Sequence, residues 1–283
     1  MNPTPSPVPN LPTPDPLSEL PAHALAGTCW RYALRAGRDA DAPLVIAAHG
    51  SDRDVAGLLS GLDLEGAVSL LVPLFPAHCG GEDISDDYKF LNLGATNYLE
   101  LMDRILREAI DRLQARPRKL FLFGFSGGAQ FVQRFALFRA KDFAGVIIAA
   151  PGSVTLMRDD VAWWPGLKDA EESVMEPLDL TGLKALRTAI LVGADDRSSS
   201  LVNRGPGARF GSSDAGLAGA TRVDKARALH MSLSAFGTPA TITELPGVGH
   251  QLAPCAEAAS QILQDWLFEE RASTNSSIVR RQS

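Results

Sequence analysis

The residues best suited to chemistry in this chain are a serine, two adjacent aspartates and two histidines, each following an apolar run. Ser126 stands in Gly124-Phe125-Ser126-Gly127-Gly128, directly after the compact run 120–123 and directly before a helix-like run, 129–138. That order predicts strand, sharp turn and helix with the serine at the tip. Glycines on both sides fit a turn so tight that a side chain would strike the neighbouring strand or helix. The same geometry places the Gly127 N–H at a helix N-terminus, where developing negative charge is favoured. Asp195 and Asp196 follow the run 188–192, His250 follows the run 240–245, and His49-Gly50-Ser51 follows the run 44–48. A serine hydroxyl needs a base within hydrogen-bond reach, and that base needs an acid to fix its tautomer and stabilise its cation. Ser126, then Asp195 or Asp196, then His250 supply such a set. Alone, either aspartate passes for a turn residue and His250 for a loop residue; together, at successive strand ends, they point to nucleophilic catalysis.

The elements that must position these residues alternate. Residues 28–36 read as a half-exposed strand near a sheet edge. The runs 44–48, 68–72, 120–123, 143–150 and 188–192 are continuous apolar strands, as in a sheet covered on both faces. Helices are predicted over 97–114, 129–138, 223–236 and 256–270, with a further strand over 240–245. The pattern implies an α/β fold, a mostly parallel central sheet with helices on both faces, whose ligands sit at the C-terminal strand ends. Residues 153–187 have no strong period and are expected to form a small cap. A Gly/Ser-rich loop, 198–221, is long enough to be mobile or functional. Residues 1–22 carry eight prolines and are expected to form a disordered leader; 23–271 form the domain, and the polar residues 272–283 a disordered tail.

Composition narrows the partners. With 27 basic and 33 acidic residues the net charge is −6, and no basic cluster suggests nucleic acid. No apolar run is long enough to span a membrane, and the N-terminus has neither the basic start nor the apolar core of a signal peptide. The three cysteines, Cys29, Cys79 and Cys255, are scattered and odd in number, which argues against a disulfide framework or zinc site and for a reducing compartment, the cytoplasm. His78 with Asp83, Asp86 and Asp87 reads as a solvated loop, so no metal is assigned.

Over roughly residues 28–270 the chain resembles an α/β-hydrolase, through His49-Gly50, Gly124-Phe125-Ser126-Gly127-Gly128, Gly193-Ala194-Asp195-Asp196 and Gly247-Val248-Gly249-His250. It is similar in particular to the small esterase, dienelactone-hydrolase and polyhydroxybutyrate-depolymerase-like branches. Its His49-Gly50-Ser51-Asp52 differs from the His-Gly-Gly-Gly of one large lipase and esterase branch. The resemblance selects Asp196 as the triad acid, with Asp195 as runner-up. It implies Ser51 and Gly127 as the two oxyanion N–H donors, a small carboxylic ester, thioester or lactone as substrate, and no cofactor. Phe125, Trp163, Trp164, Met157 and Leu252 are candidates for an apolar substrate pocket. Two other functions fit the same residues: carbon–carbon bond hydrolysis with the same triad, and ligand binding without chemistry.

Overall fold

The computed structural model describes residues 20 and 22–282, except 63, 94, 95, 200 and 201. Eight strands form one sheet: β1 (Ala22–Ala24), β2 (Arg31–Arg35), β3 (Leu44–Ala48), β4 (Ser69–Leu74), β5 (Leu120–Phe125), β6 (Gly145–Ala149), β7 (Arg187–Gly193) and β8 (Ala240–Leu245). Their order is β1-β2-β4-β3-β5-β6-β7-β8. Only β1 with β2 and β2 with β4 pair antiparallel; every other neighbouring pair is parallel. The continuous apolar runs are the interior strands: β3 and β6 are buried at every position. A strand covered on both faces has no polar side to alternate with.

The helices are α1 (Val55–Gly61), α2 (Tyr98–Leu113), α3 (Gly127–Arg139), α4 (Ala170–Val174), α5 (Leu180–Ala185), α6 (Arg222–Phe236) and α7 (Leu252–Gln282). Two apolar clusters, one on each face of the sheet, form the core. Leu122, Ile148 and Ile190 pack with α2, α3 and α6, whereas Phe121, Ile147 and Leu191 pack with α1 and α7. Alternation along β5, β6 and β7 thus divides each strand between the two layers. Helix α3 lies deep in the first layer, and all its residues from Gly127 to Phe138 are buried.

Four expectations change. The predicted strand end at Pro73 is passed, because Pro73 sits in β4 opposite Tyr32 and β4 continues to Leu74. Helix α7 runs on to Gln282 through the expected tail, with no glycine or proline after Pro254 to stop it. The segment 153–187 holds α4 and α5 but packs Ala170, Val174, Leu183 and Leu186 into the core. The fourth change is a correction: Cys29 and Cys79 are joined in a disulfide, and only Cys255 is free. The two lie 50 residues apart, a separation at which sequence spacing carries no pairing signal. The bond ties the segment before β2 to a short hairpin, His78–Cys79 with Glu82–Asp83. A disulfide of this kind belongs to an oxidising setting, which removes the ground for placing the chain in the cytoplasm. Among the described residues no helix is long and apolar enough to cross a membrane. The proline-rich leader lies almost entirely outside the described residues; Ala22, at its end, starts β1.

Candidate active site

The turn after β5 is built from backbone contacts that glycine alone permits. A Cβ on Gly128 would stand 1.9 Å from the carbonyl oxygen of Ala48, and one on Gly124 would stand 2.2 Å from that of Gly128. Strand β5, strand β3 and the first turn of α3 therefore touch backbone to backbone. On Gly127 a Cβ would meet the Tyr88 hydroxyl at 2.3 Å. Ser126, held between them, has φ 55° and ψ −109°, a left-handed strained conformation that non-glycine residues rarely keep. Its N–H donates to the Ala149 carbonyl at 2.8 Å, which pins the turn to β6.

This strain points the serine at its base. Ser126 Oγ lies 3.0 Å from His250 Nε2, and His250 Nδ1 lies 2.7 Å from Asp196 Oδ2. Because the carboxylate can only accept, the network assigns the proton to Nδ1 and leaves Nε2 free to accept from the serine. Asp196 is buried and bonded to His250, whereas Asp195, the runner-up, is exposed. The His250 loop reaches this position because Gly193 lets it approach: a Cβ there would lie 2.2 Å from the Val248 carbonyl oxygen. The Phe125 ring stacks on the imidazole, 4.9 Å between centroids, and holds its plane.

His49 arranges the other side of the cleft. Its Nδ1–H donates to the Gly50 carbonyl at 2.7 Å, and its Nε2 accepts from the Phe75 N–H at 3.0 Å. Arg53 N–H donates to the same Gly50 carbonyl. In a planar trans peptide the carbonyl and the next N–H point in opposite directions. Two bonds on the Gly50 carbonyl therefore fix where the Ser51 N–H points. Burial pushes the His49 imidazole down to about 3 from 6.5, so the ring stays neutral and can both donate and accept. The consequence for stability has a definite sign. The unfolded imidazole takes up a proton below about pH 6.5, whereas the folded ring resists until about pH 3. Stability is then lost as pH falls, with a contribution approaching about 1.4 kcal/mol per pH unit. Urea midpoints measured from pH 6.5 to 5, above the range where carboxylates titrate, should fall with this slope, and His49→Gln should flatten it.

The cleft beside the triad has a volume of about 400 Å³. Ser51, Phe125, Ser126 and His250 line it. The rest of its wall was not legible: Asp52, Asp86, Lys89, Gln130, Gly152, Arg204 and Arg222. The apolar pocket built on Trp163 and Trp164 is corrected, since neither tryptophan reaches the cleft. Trp163 packs edge-on against Phe138, and Trp164 is buried with Phe90 while its Nε1–H donates to the Phe210 carbonyl. Met157 and Leu252 likewise pack into the two core layers. Loop 198–221 supplies the missing wall: Arg204 pairs with Asp86 at 2.6 Å, Arg209 with Asp87 at 2.6 Å, and Phe210 stacks on Phe90. Among the described residues no three His, Cys, Asp or Glu side chains converge for a metal.

The same architecture occurs in proteins of solved structure. One neighbour is poly(aspartic acid) hydrolase-1 from Sphingomonas sp. KT-1, with a TM-score of 0.69 at 16% identity, covering 85% of this chain and 96% of that one. Another is a poly(3-hydroxybutyrate) depolymerase from Bordetella parapertussis, with a TM-score of 0.67 at 19% identity, covering 83% and 85%. The fold is that of the α/β-hydrolases. A thermostable esterase shares it at a TM-score of 0.52 and 16% identity, over 85% of this chain and 59% of that one. No family model and no curated protein sequence matches the chain. In this chain the loops after β5, β7 and β8 bring Ser126, Asp196 and His250 together.

Proposed function

We propose that this α/β-hydrolase is a serine hydrolase that cleaves a carboxylic ester, thioester or lactone through an acyl-enzyme. The observation that carries the reading is the unbroken line Ser126 Oγ, His250 Nε2, His250 Nδ1, Asp196 Oδ2, with both separations at hydrogen-bond length. His250 removes the hydroxyl proton as Ser126 Oγ forms a bond to the acyl carbon. The carbonyl electrons move onto oxygen, where the N–H groups of Gly127 and Ser51 receive the charge. His250 then gives its proton to the departing alcohol, thiol or ring oxygen. Water, deprotonated by the same imidazole, releases the acid and restores the serine. Asp196 stays ionised throughout and stabilises the imidazolium. Every step uses this chain's own residues and a small-molecule substrate. The neighbours named as a poly(3-hydroxybutyrate) depolymerase and an esterase support the same class of bond.

The test is hydrolysis of p-nitrophenyl esters from acetate to decanoate by the wild type and Ser126→Ala. Turnover by the wild type, with a loss of at least about a thousandfold in the variant, is the expected result. Equal turnover by both would overturn the reading.

A further inference from the structure

The wall of the cleft is built from hydrogen-bond donors. Lys89 is buried, and its ammonium donates to Ser51 Oγ at 2.7 Å and to Asp86. Arg204 pairs with the other oxygen of the same carboxylate. One aspartate therefore serves two cations. Arg222 approaches the outer oxygen of Asp196 at 3.3 Å, and its buried Nε has no hydrogen-bond partner. Gln130, which lines the cleft, is oriented from behind: Ser153 Oγ–H donates to its Oε1 at 2.6 Å, and its Nε2 lies beside Gly152. That serine in turn accepts from Arg134, a fully buried guanidinium whose other bonds go to Thr155 Oγ1 and the Lys89 carbonyl. The charged groups on the wall are Lys89, Arg204 and Arg222 against Asp52 and Asp86, which leaves one positive charge in excess. Behind the wall, Arg134 and the Asp196 carboxylate that faces Arg222 offset each other, so the excess stays at one.

The cations burden one another. Burial lowers the Lys89 ammonium despite Asp86, and nearby Arg204 and Arg53 lower it further. Burial and Arg204 together push Arg134 down to about 9. Burial opposes ionisation of Asp86, yet Lys89 and Arg204 still hold its carboxyl below the usual range. Such crowding is costly in an empty cleft, and a bound anion relieves it.

Resting on the hydrolase reading above, we infer that the substrate carries a free carboxylate close to the scissile ester, held by Arg204, Lys89 and the Gln130 amide. An excess of one charge suits a monoanion. The two retained aspartates, Asp52 and Asp86, would repel a phosphate dianion. The anion recognised here is therefore a carboxylate, and a neutral acyl chain leaves the excess positive charge of the wall uncompensated.

The test compares esters of matched shape. Monomethyl glutarate is set against methyl valerate for a carboxylate on the acyl side, and 3-acetoxypropionate against propyl acetate for one on the alcohol side, each followed by acid release. In at least one pair the anionic ester should show a kcat/KM about tenfold or more above its neutral partner. Raising sodium chloride from about 0.05 to 0.5 M should shrink that ratio, because salt screens a partly open site. Arg204→Gln should bring the ratio towards one, and Arg204→Lys, which keeps the charge, should restore part of it. Neutral esters cleaved as well as anionic ones in both pairs would overturn the inference while leaving the serine hydrolase intact. If no ester turns over and Ser126 is inert to an acylating probe, the hydrolase reading falls and takes this inference with it.

Discussion

Asp196→Asn lowers kcat for ester hydrolysis by about four orders of magnitude with the fold unchanged. The carboxylate is buried, accepts from His250 Nδ1 at 2.7 Å and faces Arg222 on its other oxygen. An asparagine of the same shape fits that space, but its amide can present N–H where the imidazole requires an acceptor. The ring then carries its proton on Nε2, pointing at Ser126 Oγ, and the serine loses its base. The loss falls on kcat rather than on KM, because the aspartate touches the base and not the substrate. Asp195→Asn is the matched control. Its side chain is exposed one position away, and kcat should stay within about twofold of the wild type. Steady-state kinetics on one activated ester, with circular dichroism of both variants, measures the difference.

Gly128→Ala is expected to remove the folded protein altogether. The added methyl would lie 1.9 Å from the Ala48 oxygen and 2.5 Å from its carbon, both backbone atoms of an interior strand. A flexible neighbour could swing aside; a strand bonded to partners on both edges cannot. Helix α3 would have to lift from β3, opening a layer in which all its residues from Gly127 to Phe138 are buried. Overpacking ordinarily costs about 1–3 kcal/mol and more where nothing yields. Urea unfolding should therefore show either no cooperative transition or a midpoint far below that of the wild type. Gly216→Ala, where a methyl would meet nothing within 4 Å, should unfold like the wild type.

These two positions mark what the sequence made legible. The glycines around Ser126 carry a local signal, since a serine flanked by glycines between an apolar strand and a helix has few other uses. Asp196 and His250 were legible for a related reason: each lies within a few residues of a strand's C-terminal end, so element order places them at one end of the sheet. The choice of Asp196 over Asp195 needed the fold, because only burial and a bond to His250 separate neighbouring aspartates. The ionic wall had no such signal. Lys89, Arg204 and Arg222 lie far apart in sequence, and their convergence depends on how loop 198–221 folds over the segment 86–90. Asp86, which reads as one acid of a solvated loop, is the carboxylate that gathers two of those cations. The tryptophans misled because apolar bulk near a cap suggests a pocket. Here it supports the buried Arg134, whose guanidinium lies 4.9 Å from the Trp164 ring centroid. The disulfide was hidden in the same way, by a contact that only the hairpin at Cys79 creates.

The central claim is that Ser126 is an activated nucleophile, and labelling tests it without knowledge of the substrate. The folded protein is treated with a fluorophosphonate, its intact mass is measured, and the modified peptide is identified. The structure predicts one adduct per chain, on Ser126, abolished in Ser126→Ala and much slowed in Asp196→Asn. A folded protein that takes up no adduct at Ser126 would contradict the account.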